Sequence, residues 1–263
     1  MRKTFTFKLY NSRLNKYLHA QIELAAEIYN HCIALHKHYY RLYGKSLSAN
    51  QLKVHLTKLK RRFPHWKTLG SQAIQDIAER IERGYQKFFR KENKRPPAFR
   101  KRNRYKSFTL KQAGWQLLGG NQIRIGNHVF KFSNSREIEG VIKTLTIKRD
   151  PLGDIYLFFS CELEEFQPST ATTHKSAGFD FGLKTFLTPS DEDEIQSPEF
   201  FKKGLNAVRK ASKNLSSKKK GSGHRKQARL NLARVHKRIA NQRRDYHFKL
   251  AKKLAETYRY LFF

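Results

Sequence analysis

Residues 3–10 (Lys-Thr-Phe-Thr-Phe-Lys-Leu-Tyr) alternate polar and apolar, as a strand with one face on a core does. The period then lengthens. Over 14–43, Leu14, Leu18, Ile22, Ala25, Tyr29 and Ile33 share one helical face, and over 48–62 Leu52, Leu56 and Leu59 form a second stripe. Phe63-Pro64-His65-Trp66 breaks that helix. A third helix is predicted over 71–92, where Ile74, Ile77, Ala78, Ile81, Tyr85 and Phe88 recur at helical spacing and Ser71 is placed to cap the start. Together these make a small helical bundle, which the prolines of Lys94-Arg95-Pro96-Pro97 end. Short strands follow near 106–110, 114–118, 121–126, 128–132, 140–149 and 154–164. Asp150-Pro151-Leu152-Gly153-Asp154 reads as the turn joining the last two. In the final strand Ile155, Leu157, Phe159 and Cys161 alternate with Tyr156, Phe158 and Ser160, which predicts cover on both faces. Short strands with Gly-rich turns predict a small barrel. The strand at 3–10 joins it, so the bundle is an insertion.

Gln167-Pro168-Ser169-Thr170-Ala171-Thr172-Thr173 reads as a linker. Beyond it, 177–188 is a strand, a tight turn and a second strand, followed by an acidic loop, Asp191-Glu192-Asp193-Glu194. Helices resume at 199–215 and 225–258. Ser216-Ser217-Lys218-Lys219-Lys220-Gly221-Ser222-Gly223 between them is predicted to be flexible. Tyr258 to Phe263 opens another buried strand. The fold class expected is a multidomain α+β chain.

Charge narrows the partner. The net charge is +34 over 263 residues, and 20 Lys and Arg face two acids, Asp245 and Glu256, between Phe200 and Phe263. Such an imbalance points to a polyanion, with a membrane surface as the weaker alternative. No apolar run of about 18 residues and no signal-peptide core is present, so the expected location is the cytoplasm. Cys32 and Cys161 sit in apolar patterns and read as buried thiols, and with no CxxC pair a zinc ribbon is excluded within this chain.

Two basic segments stand out. From Lys91 to Lys106, Arg95, Arg100, Lys101, Arg102 and Arg104 are interleaved with Phe99 and Tyr105; the cations suit phosphates and the aromatics suit bases. Further along, Lys218, Lys219 and Lys220 precede a helix that carries Arg225, Arg229, Lys237, Arg238, Arg243 and Arg244 beside a stripe of Leu232, Val235, Ile239 and Leu250. Asp180 is a lone carboxylate in an apolar strand, costly to bury unless it holds a metal or cations. The plainer reading is an Asp opening a turn with Gly182. Asp191 to Glu194 reads as a solvated loop, since four successive acids cannot all face one site. Cys32, His36 and His38 lie on one helix, but bulky neighbours and the want of a fourth ligand weigh against a metal site.

The order of these parts resembles the TnpB (OrfB) family of insertion-sequence proteins, relatives of type V CRISPR effectors. The opening Phe7-Lys8-Leu9-Tyr10 with Tyr29-Asn30, the stretch from Ile74-Gln75-Asp76 through Tyr85-Gln86-Lys87-Phe88-Phe89 to Arg95-Pro96-Pro97-Ala98-Phe99 and Ser107-Phe108-Thr109, Gly178-Phe179-Asp180-Phe181-Gly182-Leu183, and His236 to Tyr246 match in order. The resemblance implies a wedge-like β-barrel (1–13 and 95–166), a recognition-like helical bundle inserted in it (14–94), a linker (167–176), and the N-terminal part of an RNase H-like RuvC nuclease domain (177–263). It implies an RNA-guided DNA endonuclease, with a guide RNA from the transposon end and double-stranded target DNA as partners. Asp180 would be the first RuvC carboxylate and Mg²⁺ the cofactor of an intact site. The family's second and third carboxylates and its zinc ribbon have no counterpart before Phe263. The expectation is therefore a C-terminally truncated chain that binds no Mg²⁺ stably and no zinc, and does not cleave alone. The alternatives are a nuclease-dead, RNA-guided DNA-binding repressor and a general RNA-binding protein. Occupancy of DNA that depends on guide sequence separates the first from the second.

Overall fold

In the computed structural model the opening alternation forms β1 (Arg2–Lys8), and helices α1 (Asn15–Tyr43), α2 (Ala49–Arg62) and α3 (Ser71–Phe89) follow. Next come β2 (Ser107–Leu110), β3 (Trp115–Gly119), β4 (Gln122–Ile125), β5 (His128–Lys131), β6 (Val141–Arg149) and β7 (Ile155–Glu162). The remainder carries β8 (Ser176–Asp180), β9 (Thr185–Pro189), β10 (Ile195–Gln196), α4 (Phe200–Ser216), α5 (Gly223–Thr257) and β11 (Tyr260–Phe262). The structure describes residues 1–163, 175–182, 185–191 and 194–263. The expected linker over Gln167–Thr173, Leu183 of the turn, and Glu192 and Asp193 of the acidic loop lie outside the described residues. The chain divides into two units, Met1–Phe166 and Gln167–Phe263.

In the first unit one antiparallel sheet has the order β1-β7-β6-β2 and a second has the order β3-β4-β5. Phe5 faces Phe159 and Phe7 faces Leu157 across β1 and β7. A bridge between Leu9 and Phe132 stitches the second sheet to the end of β1. Phe7, Phe132 and Phe159 meet there with ring centroids 5.4–6.2 Å apart. Leu18, Ile22, Ala25, Cys32 and Ile33 of α1 and Ile77, Ala78 and Ile81 of α3 are fully buried in the same core as these strands. Helices and sheets therefore share one core rather than forming two, and each buried Leu, Ile or Phe side chain in it contributes about 1.5–3 kcal/mol.

Four local expectations need correction. In β7 only one face is fully buried; Tyr156, Phe158 and Ser160 stay half-exposed. Ser71 does not cap α3: the cap position is Gly70, with φ 83°, and Ser71 is the first helical residue. A glycine takes that φ without strain, so the chain turns from the 3₁₀ segment Pro64–Leu69 into α3 one residue early. The segment between α4 and α5 is a folded turn. Ser222 Oγ accepts from the Arg225 amide at 3.1 Å and so caps α5, while the hydroxyls of Ser216 and Ser217 donate to the carbonyls of Lys213 and Asn214. Lastly, the short strand β10, absent from the sequence reading, pairs with β9.

The second unit has a sheet in the order β10-β9-β8-β11. β8 pairs antiparallel with β9, and β11 runs parallel to β8 with Leu261 opposite Ala177 and Phe262 opposite Gly178. Ala177, Phe179, Leu187 and Tyr258 form its core. α4 and α5 pack closely: a Cβ on Gly204 would lie 2.7 Å from Ile239 Cδ1, so the glycine sets how near the helices come.

Candidate nucleic-acid interface

The segment after α3 is strapped onto α1 through its backbone. Asn30 Nδ2 donates to the Arg100 carbonyl at 2.8 Å, and the Arg100 amide donates back to Asn30 Oδ1 at 2.8 Å. The Tyr29 hydroxyl donates to the Ala98 carbonyl at 3.3 Å. Pro97 sits against Gly84 of α3, where a Cβ would come within 2.8 Å of its ring. Because the backbone carries the anchoring, the side chains are left outward. Arg95, Phe99, Arg100, Lys101 and Arg104 are exposed, Phe99 at 54%. Among the described residues no carboxylate lies within ion-pair distance of Arg95, Arg100, Lys101 or Arg104. With Tyr29, Gly84 and Pro97, all five exposed residues line an open groove of about 640 Å³. Lys37 Nζ stands 4.7 Å from the centre of the Phe99 ring.

Two members of the segment behave differently from the expectation. Arg102 ion-pairs with Glu27 at 3.3 Å, and its carbonyl accepts from Arg149 at 2.6 Å, so it holds the strap in place. Tyr105 is buried against Tyr29, and burial pushes its hydroxyl up to about 12. It offers no face to a base. Arg80 lines the groove but is committed to Asp76, the Ser107 carbonyl and the Thr109 hydroxyl.

The second basic region lies on α4, α5 and their turn. Lys219 and Lys220 are exposed on the turn and Lys218 is half-exposed; Arg229, Arg238, Arg243 and Arg244 are exposed along α5. Only Ala228 and Ile239 of α5 are buried, so most of its length faces outward. Arg225 is the exception among the predicted contacts: its Nη1 donates to the carbonyls of Leu215 at 2.9 Å and Lys218 at 2.7 Å, closing the end of α4. Lys237 is half-buried and makes an interaction of its own.

Asp180 is the last residue of β8 and is exposed, opposite Thr188 of β9. It is therefore not the costly mid-strand carboxylate that the pattern predicted; the strand's apolar run ends at Phe179. Phe181 beside it stacks on Phe263 at 5.8 Å. Asp191 accepts a hydrogen bond from the buried Tyr258 hydroxyl at 2.9 Å, which ties that end of the acidic loop to the core. Among the described residues no three His, Cys, Asp or Glu side chains gather where they could hold a metal. Asp180 alone does not make a two-ion site. Cys32, His36 and His38 do not converge either. His36 is buried, stacked on Tyr85 at 3.7 Å, and accepts the Leu47 amide at 3.3 Å; Cys32 is buried, with its thiol pushed up to about 12; His38 pairs with Arg41. The sequence reading missed the anchors Asn30 and Gly84. A glycine in the fourth turn of a strong helical stripe was the one available signal, because it costs helix stability unless something must approach closely.

The OrfB insertion-sequence family model, described as "Probable transposase", matches residues 158–261. The family match covers the second basic region and Asp180, not the strap. A Streptomyces pristinaespiralis protein described as a candidate RNA-guided DNA endonuclease is 36% identical over 111 residues, covering 42% of this chain and 27% of that protein. The Escherichia coli K12 protein InsQ, of the same description, is 29% identical over 192 residues, covering 72% of this chain and 46% of its own length. The chain thus spans less than half the length of these two relatives. Among solved structures, a chain of the Cas12f1–sgRNA–target DNA complex, determined by cryo-electron microscopy, matches at 12% identity and TM-score 0.39, over 97% of this chain and 69% of that one. Among the described residues no helix is long and apolar enough to cross a membrane.

Proposed function

The chain belongs to the TnpB (OrfB) family of insertion-sequence proteins, and from that premise we propose that it binds a guide RNA and, through it, double-stranded DNA. The observation that carries this reading is the strap: a backbone-anchored segment that presents an exposed aromatic ring and four exposed cations, none of them paired with a carboxylate among the described residues. Arg and Lys on a fixed track suit the regular spacing of phosphates, and an exposed Phe suits an unpaired base. The exposed cations of α5 extend the same chemistry. In this reading the sheets of the first unit form the wedge-like barrel, with α1–α3 as the inserted recognition bundle. The second unit is the start of a RuvC-like domain. Its sheet order and the parallel pairing of β8 with β11 support that assignment, as does a carboxylate at the carboxyl end of β8.

In the family's chemistry, paired Mg²⁺ ions would activate water for attack on a phosphodiester. Asp180 offers one ligand and does not fit that requirement alone. The test is equilibrium binding of labelled RNA and duplex DNA to the full chain in Mg²⁺, with the products run on a denaturing gel. Tight, salt-sensitive RNA binding is expected. Binding that ignores salt would remove the nucleic-acid reading, and Mg²⁺-dependent cuts abolished by Asp180→Asn would assign Asp180 to a metal site.

A further inference from the structure

The second unit holds an open pocket of about 290 Å³ between β9, the start of α4 and α5. Five aromatic residues line it: Phe186 from β9, Phe200 and Phe201 from α4, and Tyr246 and His247 from α5. Phe186 also packs against the core of Ala177, Phe179, Leu187 and Tyr258, so one wall is fixed. The Tyr246 hydroxyl donates to the Gln196 carbonyl at 3.2 Å, which fixes a second. The rings meet edge to face, Phe186 with Tyr246 at 6.0 Å and 74°, and Phe200 with Tyr246 at 5.9 Å and 72°. Edge contacts do not cover the ring faces as parallel stacking would. His247 and Phe201 are exposed, Phe201 at 53%, and neither belongs to the unit's core.

Charge and size decide what fits. Arg243 lines the pocket, is exposed, and has no carboxylate within ion-pair distance among the described residues. The one acid in the lining, Glu199, is already paired with Lys202 at 2.9 Å. Aromatic walls attract cations, but an alkylammonium group would here meet an unpaired guanidinium. A docking helix, about 10 Å across with its side chains, is too wide for the space. An apolar side chain would fill the pocket and leave the guanidinium without a partner. A flat apolar ring with an anion joined to it answers both features.

We propose that this pocket takes one unpaired base of a bound RNA, stacked on its aromatic walls, with the adjoining phosphate on Arg243. The inference rests on the RNA-binding reading above and adds a second base-stacking site, carried by the second unit and independent of Phe99. Base stacking on aromatic side chains tolerates any base, because every base has a π-face. No side-chain amide lines the pocket to read a base edge. The site therefore registers that a base is present rather than which one.

The experiment compares a labelled oligoadenylate of about ten nucleotides with an abasic ribose-phosphate oligomer of the same length. Both are titrated by anisotropy into the full chain carrying Phe99→Ala, so that the strap's ring contributes nothing. The oligoadenylate is expected to bind about tenfold tighter than the abasic oligomer. Adding Phe201→Ala and His247→Ala, both at exposed positions, should remove most of that preference and leave the salt dependence alone. Should the paired change unfold the second unit, Phe201→Leu keeps an apolar side chain without the ring and should show part of the same loss. Arg243→Gln should weaken both oligomers alike and flatten the slope of log K against log salt by about 0.7. No preference in the Phe99→Ala protein, or a preference that survives the loss of Phe201 and His247, would overturn the pocket and leave RNA binding standing. An unchanged slope in Arg243→Gln would overturn the phosphate's place in it. Failure of both oligomers to bind the parent chain would sink the RNA-binding reading and the pocket together.

Discussion

Replacing the four outward cations of the strap together (Arg95→Gln, Arg100→Gln, Lys101→Gln, Arg104→Gln) gives the sharpest test of what that segment does. None of the four pairs with a carboxylate among the described residues; Arg100 also hydrogen-bonds the Tyr29 hydroxyl, and Gln there still offers a donor. The strap is anchored by Asn30 to the backbone of Arg100, by Tyr29 to the carbonyl of Ala98, and by the Pro97–Gly84 contact, all of which the variant keeps. Each phosphate contact to a single strand contributes about −0.7 to the slope of log K against log salt, so four lost contacts should flatten the slope by about 3. Between 50 and 200 mM salt, roughly the range of a practical titration, the parent's affinity should then fall about 50-fold further than the variant's. Fluorescence anisotropy with a labelled single-stranded RNA, repeated at five or six salt concentrations, reads the slope directly. Arg102→Gln is the internal comparison: Arg102 already pairs with Glu27, so its loss should leave the slope alone. Equal slopes for the parent and the fourfold variant would refute the assignment of the strap to phosphate contacts. A flattened slope in Arg102→Gln would refute the distinction drawn between paired and unpaired cations.

Other expectations follow from individual contacts. Gly84→Ala gains about 1 kcal/mol of intrinsic helix stability but drives a methyl group to 2.8 Å from the Pro97 ring; thermal stability should stay near the parent's while RNA affinity drops, as melting and anisotropy would show. Arg225→Ala removes two charged-donor hydrogen bonds from the α4–α5 turn and should cost about 2 kcal/mol, read by denaturant unfolding of the second unit; an unchanged transition would mean the turn holds without it. His31 and His55 lie with their Nε2 atoms 3.2 Å apart, and both are shifted down, chiefly by burial and, for His31, also by its neighbour. A histidine depressed in the folded state leaves the unfolded chain holding more protons below its ordinary value of about 6.5. Stability should therefore fall as pH drops through that value, and His55→Gln should flatten the dependence of melting temperature on pH between 7.5 and 5.

Much of the architecture was legible because the hydrophobic period changes cleanly. The stripes of α1 and α3 and the alternation of β1, β6 and β7 predict elements within a few residues of those found. The misses have physical causes. Ser71 has the chemistry of a cap, but Gly70 takes the left-handed φ that starts the helix a residue earlier. The lysine- and glycine-rich turn reads as flexible by composition, whereas Ser222 caps α5 locally and Arg225 reaches back to the carbonyls at the end of α4, a contact that exists only once the two helices are joined through this turn. The basic segments were visible as charge, but not the sorting within them. Nothing in the spacing of Arg100, Arg102 and Arg104 says that the middle one meets Glu27, 75 residues away in sequence. Likewise Tyr105 and Phe99 are equivalent as letters, and only the fold buries one and bares the other. Asp180 was found by its type and its strand, while its exposure at the strand's end depended on where pairing with β9 stops.

The most direct measurement is ultraviolet cross-linking of a bound RNA to the full chain, with the modified peptides located by mass spectrometry. Cross-links are expected at Phe99 within the strap and along the outward face of α5, with none at buried Tyr105. Cross-links confined to other surfaces, such as α2 or the β3–β5 sheet, with Phe99 and α5 untouched, would contradict that expectation.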